Sequence, residues 1–115
     1  MIYQSTVAFD LRELLGPQKS RYDFIKGLEL SSGNYIADIS NLVSQLSKNY
    51  HLAIHNYFPV PKDPFVLNLS TEDKDRALLS IEHAKGSIDL AERFCEKFYS
   101  IHAGFLLDPE PSELG

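Results

Sequence analysis

The sequence predicts an all-α protein, a long antiparallel helical hairpin with short N-terminal helices, four-helix-bundle-like and open to completion by dimerisation. Three observations point there. Apolar or small residues recur at helical spacing at Ile36, Ile39, Val43, Leu46, Tyr50, Ala53 and Tyr57, and again at Ala77, Ile81, Ala84, Ile88, Ala91, Cys95 and Phe98. Aligned in opposite directions, the two series set mostly large residues against small ones, with Tyr50 facing Ala84 and Ala53 facing Ile81, as interdigitated packing wants. Between them Pro59, Pro61 and Pro64 deny the backbone its donors and force a break.

Each element has its own local warrant. Ser5 or Thr6 can cap a short helix carrying Val7, Leu11, Leu14 and Leu15, and Gly16-Pro17 separates it from a second piece with Tyr22, Ile25 and Leu28. A strand over 2–9 is the competing expectation, with partial alternation and β-branched content but no convincing partner strand in the sequence. Ser31-Ser32-Gly33-Asn34 supplies N-caps for the first long helix, over 36–58. The connection through Phe65, Val66, Leu67 and Leu69 is too apolar to hang in water and is expected against the bundle end. Ser70-Thr71-Glu72-Asp73 opens the second long helix, over 71–103, with acidic side chains that complement the helix dipole, and Gly104 stops it. Residues 1–107 thus read as a single helical domain, and 108–115 as a flexible acidic tail containing proline.

A displaced apolar set that includes Leu42 and Ile54 on one helix and Leu90, Phe94 and Ile101 on the other would stay wet in a lone hairpin. These five residues are the expected interaction surface, and a homodimer is the expected state. The chain has 115 residues, 43% of them hydrophobic and 23% charged, which describes an ordinary globular protein. Lys and Arg number 11 against 16 Asp and Glu, a net charge of -5. That balance argues against nucleic acid as a partner and suits a basic protein better. No stretch has the length of a membrane span and no signal peptide is evident, so the cytoplasm is the expected compartment. Cys95 stands alone on an apolar seam, where a thiol acts as a small hydrophobe.

Chemistry-bearing patterns are few. His51 and His55 lie four apart on one helix face with His83 level with His51, a spacing at which two imidazoles can hold a transition metal. The heptad nevertheless turns these histidines outward. The segment from Lys48 to Tyr57 resembles the cation and His-x-Tyr arrangement of HEPN-type ribonucleases, with Lys48 where that family has Arg. The resemblance implies a dimeric ribonuclease in which Lys48 stabilises charge on the phosphate and His55 moves a proton. There is no Gly-rich phosphate loop, Gly-x-Ser-x-Gly elbow, zinc Cys pair or Asp-rich calcium loop. The preferred reading is therefore a small acidic helical protein-protein interaction module, an adaptor, chaperone or inhibitor, with no catalytic role and no cofactor. The HEPN-like ribonuclease and a His-based metal-binding bundle are the alternatives.

Overall fold

The computed structural model describes residues 1–94 and 99–114 and holds a four-stranded sheet, not a helical hairpin. In chain order the elements are β1 (Tyr3–Ser5), β2 (Gly27–Leu30), α1 (Ile39–Leu46), β3 (His51–His55), α2 (Lys74–Phe94) and β4 (Tyr99–Ser100). Short 3-10 turns occupy Thr6–Ala8, Lys19–Tyr22 and Pro111–Glu113. The strands lie in the order β1-β2-β3-β4, every neighbouring pair parallel. The all-α, helical-bundle expectation is thereby overturned, and the architecture is α/β. Among the described residues, no helix is long and apolar enough to cross a membrane.

The helix expected over 36–58 ends at Leu46, and the chain turns through residues 47–50 into β3. The apparent helical series continued across this turn because Tyr50, Ala53 and Tyr57 happen to keep its spacing. The deciding feature is the unbroken run Leu52-Ala53-Ile54, all three buried. A buried strand inside a parallel sheet carries such a run, and periodicity alone does not separate it from a buried helix. At the N-terminus the competing strand expectation is met over Tyr3–Ser5, paired with β2, which contains Leu28, a residue expected on a short helix. The second long helix forms over Lys74–Phe94 but stops short of residue 103, since Tyr99–Ser100 pairs with β3 instead. Cys95 and Phe98 lie outside the described residues.

Period-two alternation sorts the sheet into two faces. Register sets Leu28 beside Leu52 and Leu30 beside Ile54, and these four form the floor of the core. Val43 and Leu46 of α1, Leu90 and Ala91 of α2, Phe58, and Leu11, Leu14 and Ile25 from the β1–β2 connection pack into the same cluster. All three connections therefore lie on one side of the sheet, as right-handed crossovers dictate when strand order never reverses. The other side carries Tyr3, Ser5, Gly27, Glu29, His51, Ala53, His55 and Ser100. Gly27 is required there because a Cβ would fall 2.9 Å from the Ile2 carbonyl oxygen and 3.0 Å from the Tyr3 ring.

Helix α2 sits on the core through Ser80, Ser87, Leu90 and Ala91, whereas Ile81 and Ile88, expected inside, are exposed. Small polar residues face inward because the irregular segment beneath has backbone groups to satisfy. Ser87 Oγ donates to the Phe58 carbonyl at 2.6 Å, and Ser80 Oγ accepts from the Asn68 amide at 3.0 Å. Two substitutions separate the observed packing from the hairpin. Ile54→Ala, at a residue 0% exposed, should cost about 2 to 5 kcal/mol in urea unfolding. Ile81→Ala, at 45% exposure, should stay within about 0.5 kcal/mol of wild type.

Candidate functional site

Four parallel strands end at one edge of the sheet, and in open α/β sheets ligands bind beyond the carboxyl ends of the strands. Here that edge collects Ser5 and Thr6, Ser31 to Asn34, His55 and Asn56, and Ser100 to His102. The strand ends are stitched by side chains. Thr6 Oγ1 accepts from the Ser31 amide at 3.0 Å, joining the ends of β1 and β2. Asn56, in the left-handed region at φ 50°, joins β3 to β4 with three bonds. Its amide donates to the Ser100 carbonyl at 2.6 Å, its Oδ1 accepts from the His102 amide at 3.2 Å, and its carbonyl accepts from the Tyr99 hydroxyl at 3.0 Å.

That bracing brings two imidazoles together. His55 Nε2 and His102 Nε2 stand 3.2 Å apart, with ring centroids separated by 5.1 Å and planes at 88°. The other nitrogen of His55, Nδ1, lies 2.8 Å from Ser100 Oγ. His55 is half-buried and His102 exposed, so the pair faces outward from the sheet edge. Among the described residues, no group of three or more His, Cys, Asp and Glu side chains gathers around a common point.

The loop after His102 is fastened to the loop before α2 through Asn68, which is buried. Asn68 Oδ1 accepts from the amides of Ser70 and Phe105, both at 3.0 Å, and Nδ2 donates to Phe105 O at 3.3 Å and Asp108 Oδ1 at 2.7 Å. The Leu69 amide adds a bond to the Ala103 carbonyl at 3.1 Å. No side chain fits at Gly104, where φ is 145° and a Cβ would overlap Asn68 Oδ1. Asp108 is held below the usual carboxylate range chiefly by the Thr71 hydroxyl; burial opposes this, and the Asn68 amide and the Arg76 guanidinium add smaller lowering effects. Arg76 also donates to the Pro109 carbonyl at 3.0 Å and pairs with Glu110 at 3.3 Å.

Behind this edge His83 stacks on Tyr57 with centroids 5.0 Å apart and meets the edge of Phe65 at 5.9 Å. Its Nε2 is buried without a hydrogen-bond partner among the described residues. Burial pushes its pKa below 6.5, with the Asn56 backbone opposing in part.

The residues singled out in the sequence are distributed differently from expectation. His51 and His55 share β3 but stand at its opposite ends, roughly 13 Å apart at strand rise, so they do not form a chelating pair. His83 belongs to α2, on the helical side of the sheet. Lys48 is exposed in the turn before β3, at the end of the strand remote from His55, and the two are not brought together. Of the expected interaction surface, Ile54 and Leu90 are inside the core, Leu42 and Phe94 pack against it, and Ile101 is half-buried. His102, absent from every candidate set, is the residue that meets His55. Its only local signal was its place just before Ala103-Gly104, at the expected end of a helix.

No protein-family model matches this chain, and neither the curated proteins nor the solved structures hold a match to it.

The depressed His83 pKa has a pH consequence. The folded state favours the neutral ring, so the unfolded chain takes up the proton first as pH falls. The stabilisation is complete above the unfolded value of 6.5 and is lost as pH drops from there through the lower folded value. Urea unfolding from neutral to mildly acidic pH should therefore show a loss of stability in wild type that is flattened in His83→Phe, which keeps the stack on Tyr57. An unchanged slope would assign the acid sensitivity elsewhere.

Proposed function

We propose that His55 and His102 bind a divalent transition-metal ion, with zinc the best fit, and that the chain forms part of a metal-dependent enzyme site at the carboxyl edge of its sheet. The separation of the two Nε2 atoms carries this reading. Two imidazoles bound tetrahedrally at about 2.0 to 2.1 Å from zinc have their nitrogens roughly 3.3 Å apart, and the pair stands at 3.2 Å. Ser100 supports it from behind. In the tautomer whose Nδ1–H donates to Ser100 Oγ, 2.8 Å away, the His55 lone pair resides on Nε2, the nitrogen that faces His102. A partner of this kind fixes tautomer and ring orientation in metal-ligating histidines.

Two protein ligands leave coordination positions for water or for oxygen atoms of a substrate. A bound ion would supply Lewis acidity, polarising a carbonyl or lowering the pKa of a bound water toward about 7. The chain's own contribution is positional: His55 and His102 would hold the ion, Ser100 orients the His55 ring, and Asn56 anchors the His102 backbone. Along the same edge a cavity of about 290 Å³ is lined by Thr6, Asp10, Arg12, Ser32, Asn34 and Phe58 among others. Its mixed polar lining suits a small molecule bearing hydroxyl or carbonyl groups.

A partner-binding role is the second reading. It finds support on α2, whose Leu78, Leu79 and Ile81 are exposed. Metal titration separates the two. Cobalt(II) added to the apo-protein should give the visible absorption of a low-coordinate nitrogen site, and zinc should bind with one ion per chain by calorimetry. His55→Ala and His102→Ala should each abolish this, Ser100→Ala should weaken it about 10-fold to 100-fold, and His51→Ala should leave it unchanged. Affinity should fall on acidification, because protons compete for the same nitrogens. Equal binding by wild type and the His55→Ala, His102→Ala double variant would remove the metal reading and leave the partner-binding one.

A further inference from the structure

We infer that the cavity at the carboxyl ends of β1 and β2 binds a small zwitterion, an α-amino acid with an apolar side chain. This rests on the cavity being the ligand pocket of the sheet edge, as read above, and not on the metal. Two opposite charges line the hollow, Asp10 and Arg12, yet they form no ion pair with each other or, among the described residues, with any other group. Their separation has a local cause. Asp10 Oδ1 accepts from the Arg12 backbone amide at 3.0 Å, in a turn closed by the Glu13 amide on the Asp10 carbonyl at 2.9 Å, so the carboxylate is held to the main chain. The Arg12 guanidinium is left without a hydrogen-bond or ring partner among the described residues. The loop after β2 lines the same cavity. Ser32 and Gly33 both take the left-handed region there, at φ 50° and 100°, a conformation that a serine adopts at a cost. Among the described residues, the amides of Ser32, Gly33 and Asn34 meet no protein acceptor. Successive unpaired amides in a turn are anion-binding groups, and a guanidinium fork matches a carboxylate in two bonds.

Charge, lining and size together set the ligand class. A carboxylate finds Arg12 and the free amides, and an ammonium finds Asp10, whose Oδ2 has no partner among the described residues. Phe9, Ile36 and Phe58 give the cavity an apolar wall for a side chain. Its volume of about 290 Å³ lies just below the range of about 300 to 1,000 Å³ usual for drug-sized ligands, which suits a molecule of amino-acid size. A simple anion is the poorer fit. Asp10 repels it and the chain's net charge of -5 opposes its approach, whereas a zwitterion carries no net charge.

Titration of the full chain with L-leucine, followed by nuclear magnetic resonance in the presence of a chelator, tests this without metal. Wild type should bind L-leucine at millimolar concentration. N-acetyl-L-leucine, which lacks the ammonium, and L-leucinamide, which lacks the carboxylate, should each bind about 10-fold to 100-fold more weakly. In Arg12→Gln leucine should weaken until it binds no better than leucinamide. In Asp10→Asn, which keeps the acceptor for the Arg12 amide, leucine should bind no better than N-acetyl-leucine. Both residues are exposed, so both variants should keep the wild-type circular dichroism. Should either unfold, the ranking of leucine against its two derivatives on wild type decides alone. Absence of leucine binding, equal binding of leucine and N-acetyl-leucine, or leucine binding indifferent to both substitutions would overturn the inference. Leucine binding in chelator by a chain that takes up no zinc supports it and removes only the metal reading, and zinc uptake without leucine binding overturns it and leaves the metal reading standing.

Discussion

The parallel pairing of β2 with β3 is the constraint from which the remaining structure follows. Parallel neighbours need a crossover rather than a tight turn, so the twenty residues between Leu30 and His51 must travel back along the sheet, and α1 is the part of that path that buries apolar surface. Register beside Leu52 and Ile54 commits Leu28 and Leu30 to the same face, and a slip of one residue would turn all of them outward. Val43 and Leu46 then have a floor to pack on. The same pairing points the ends of β2 and β3 in one direction, which is why polar residues with no common signature in the sequence converge at one edge.

How much of this was legible depended on how local each signal was. The helix at Lys74–Phe94 is announced by its cap and acidic first turn, and the irregular course after Phe58 by three prolines. The strands are short, two to five residues, and their identity lies in pairing between segments far apart in sequence. Leu28 and Leu30 offer only one repeat of a two-residue period, and Leu52-Ala53-Ile54 offers none. For the site, His55 was visible as a candidate, but its neighbour was misjudged for a geometric reason. Residues i and i+4 meet on a helix and lie at opposite ends of a five-residue strand. His102 becomes adjacent only when β4 pairs with β3, a contact between residues 47 positions apart.

Helix α2 shows a second way in which a pattern can mislead. A stripe of Ala and Ile at helical spacing reads as the buried face, yet the helix turns Ser80 and Ser87 to the interior. The segment from Phe58 to Ser70 has little repetitive structure, and its carbonyls and amides take hydroxyl and amide partners where a strand would have given them backbone ones. Polar satisfaction of an irregular loop thus outweighs the gain from burying Ile81 and Ile88 at about 25 cal/mol per Å². The same loop carries Asn68, so the serine face of the helix and the fixed position of the strand-end loops are parts of one arrangement.

The tethering of the His102 loop through Asn68 and Asn56 bears on how binding at this edge would be divided between folding and recognition. A loop free in the unbound protein surrenders backbone and rotamer freedom when it closes on a ligand, and each ordered side chain subtracts about 0.5 to 1.5 kcal/mol from affinity. Here residues 102–105 are already tied by bonds to two asparagine side chains and to the Leu69 amide when the chain folds. A ligand that bound at the strand ends would meet a preorganised surface whose entropy has been surrendered in advance, so weak individual contacts would suffice for useful affinity, and variation in the ligand would be met by exchanging side chains and not by moving the backbone.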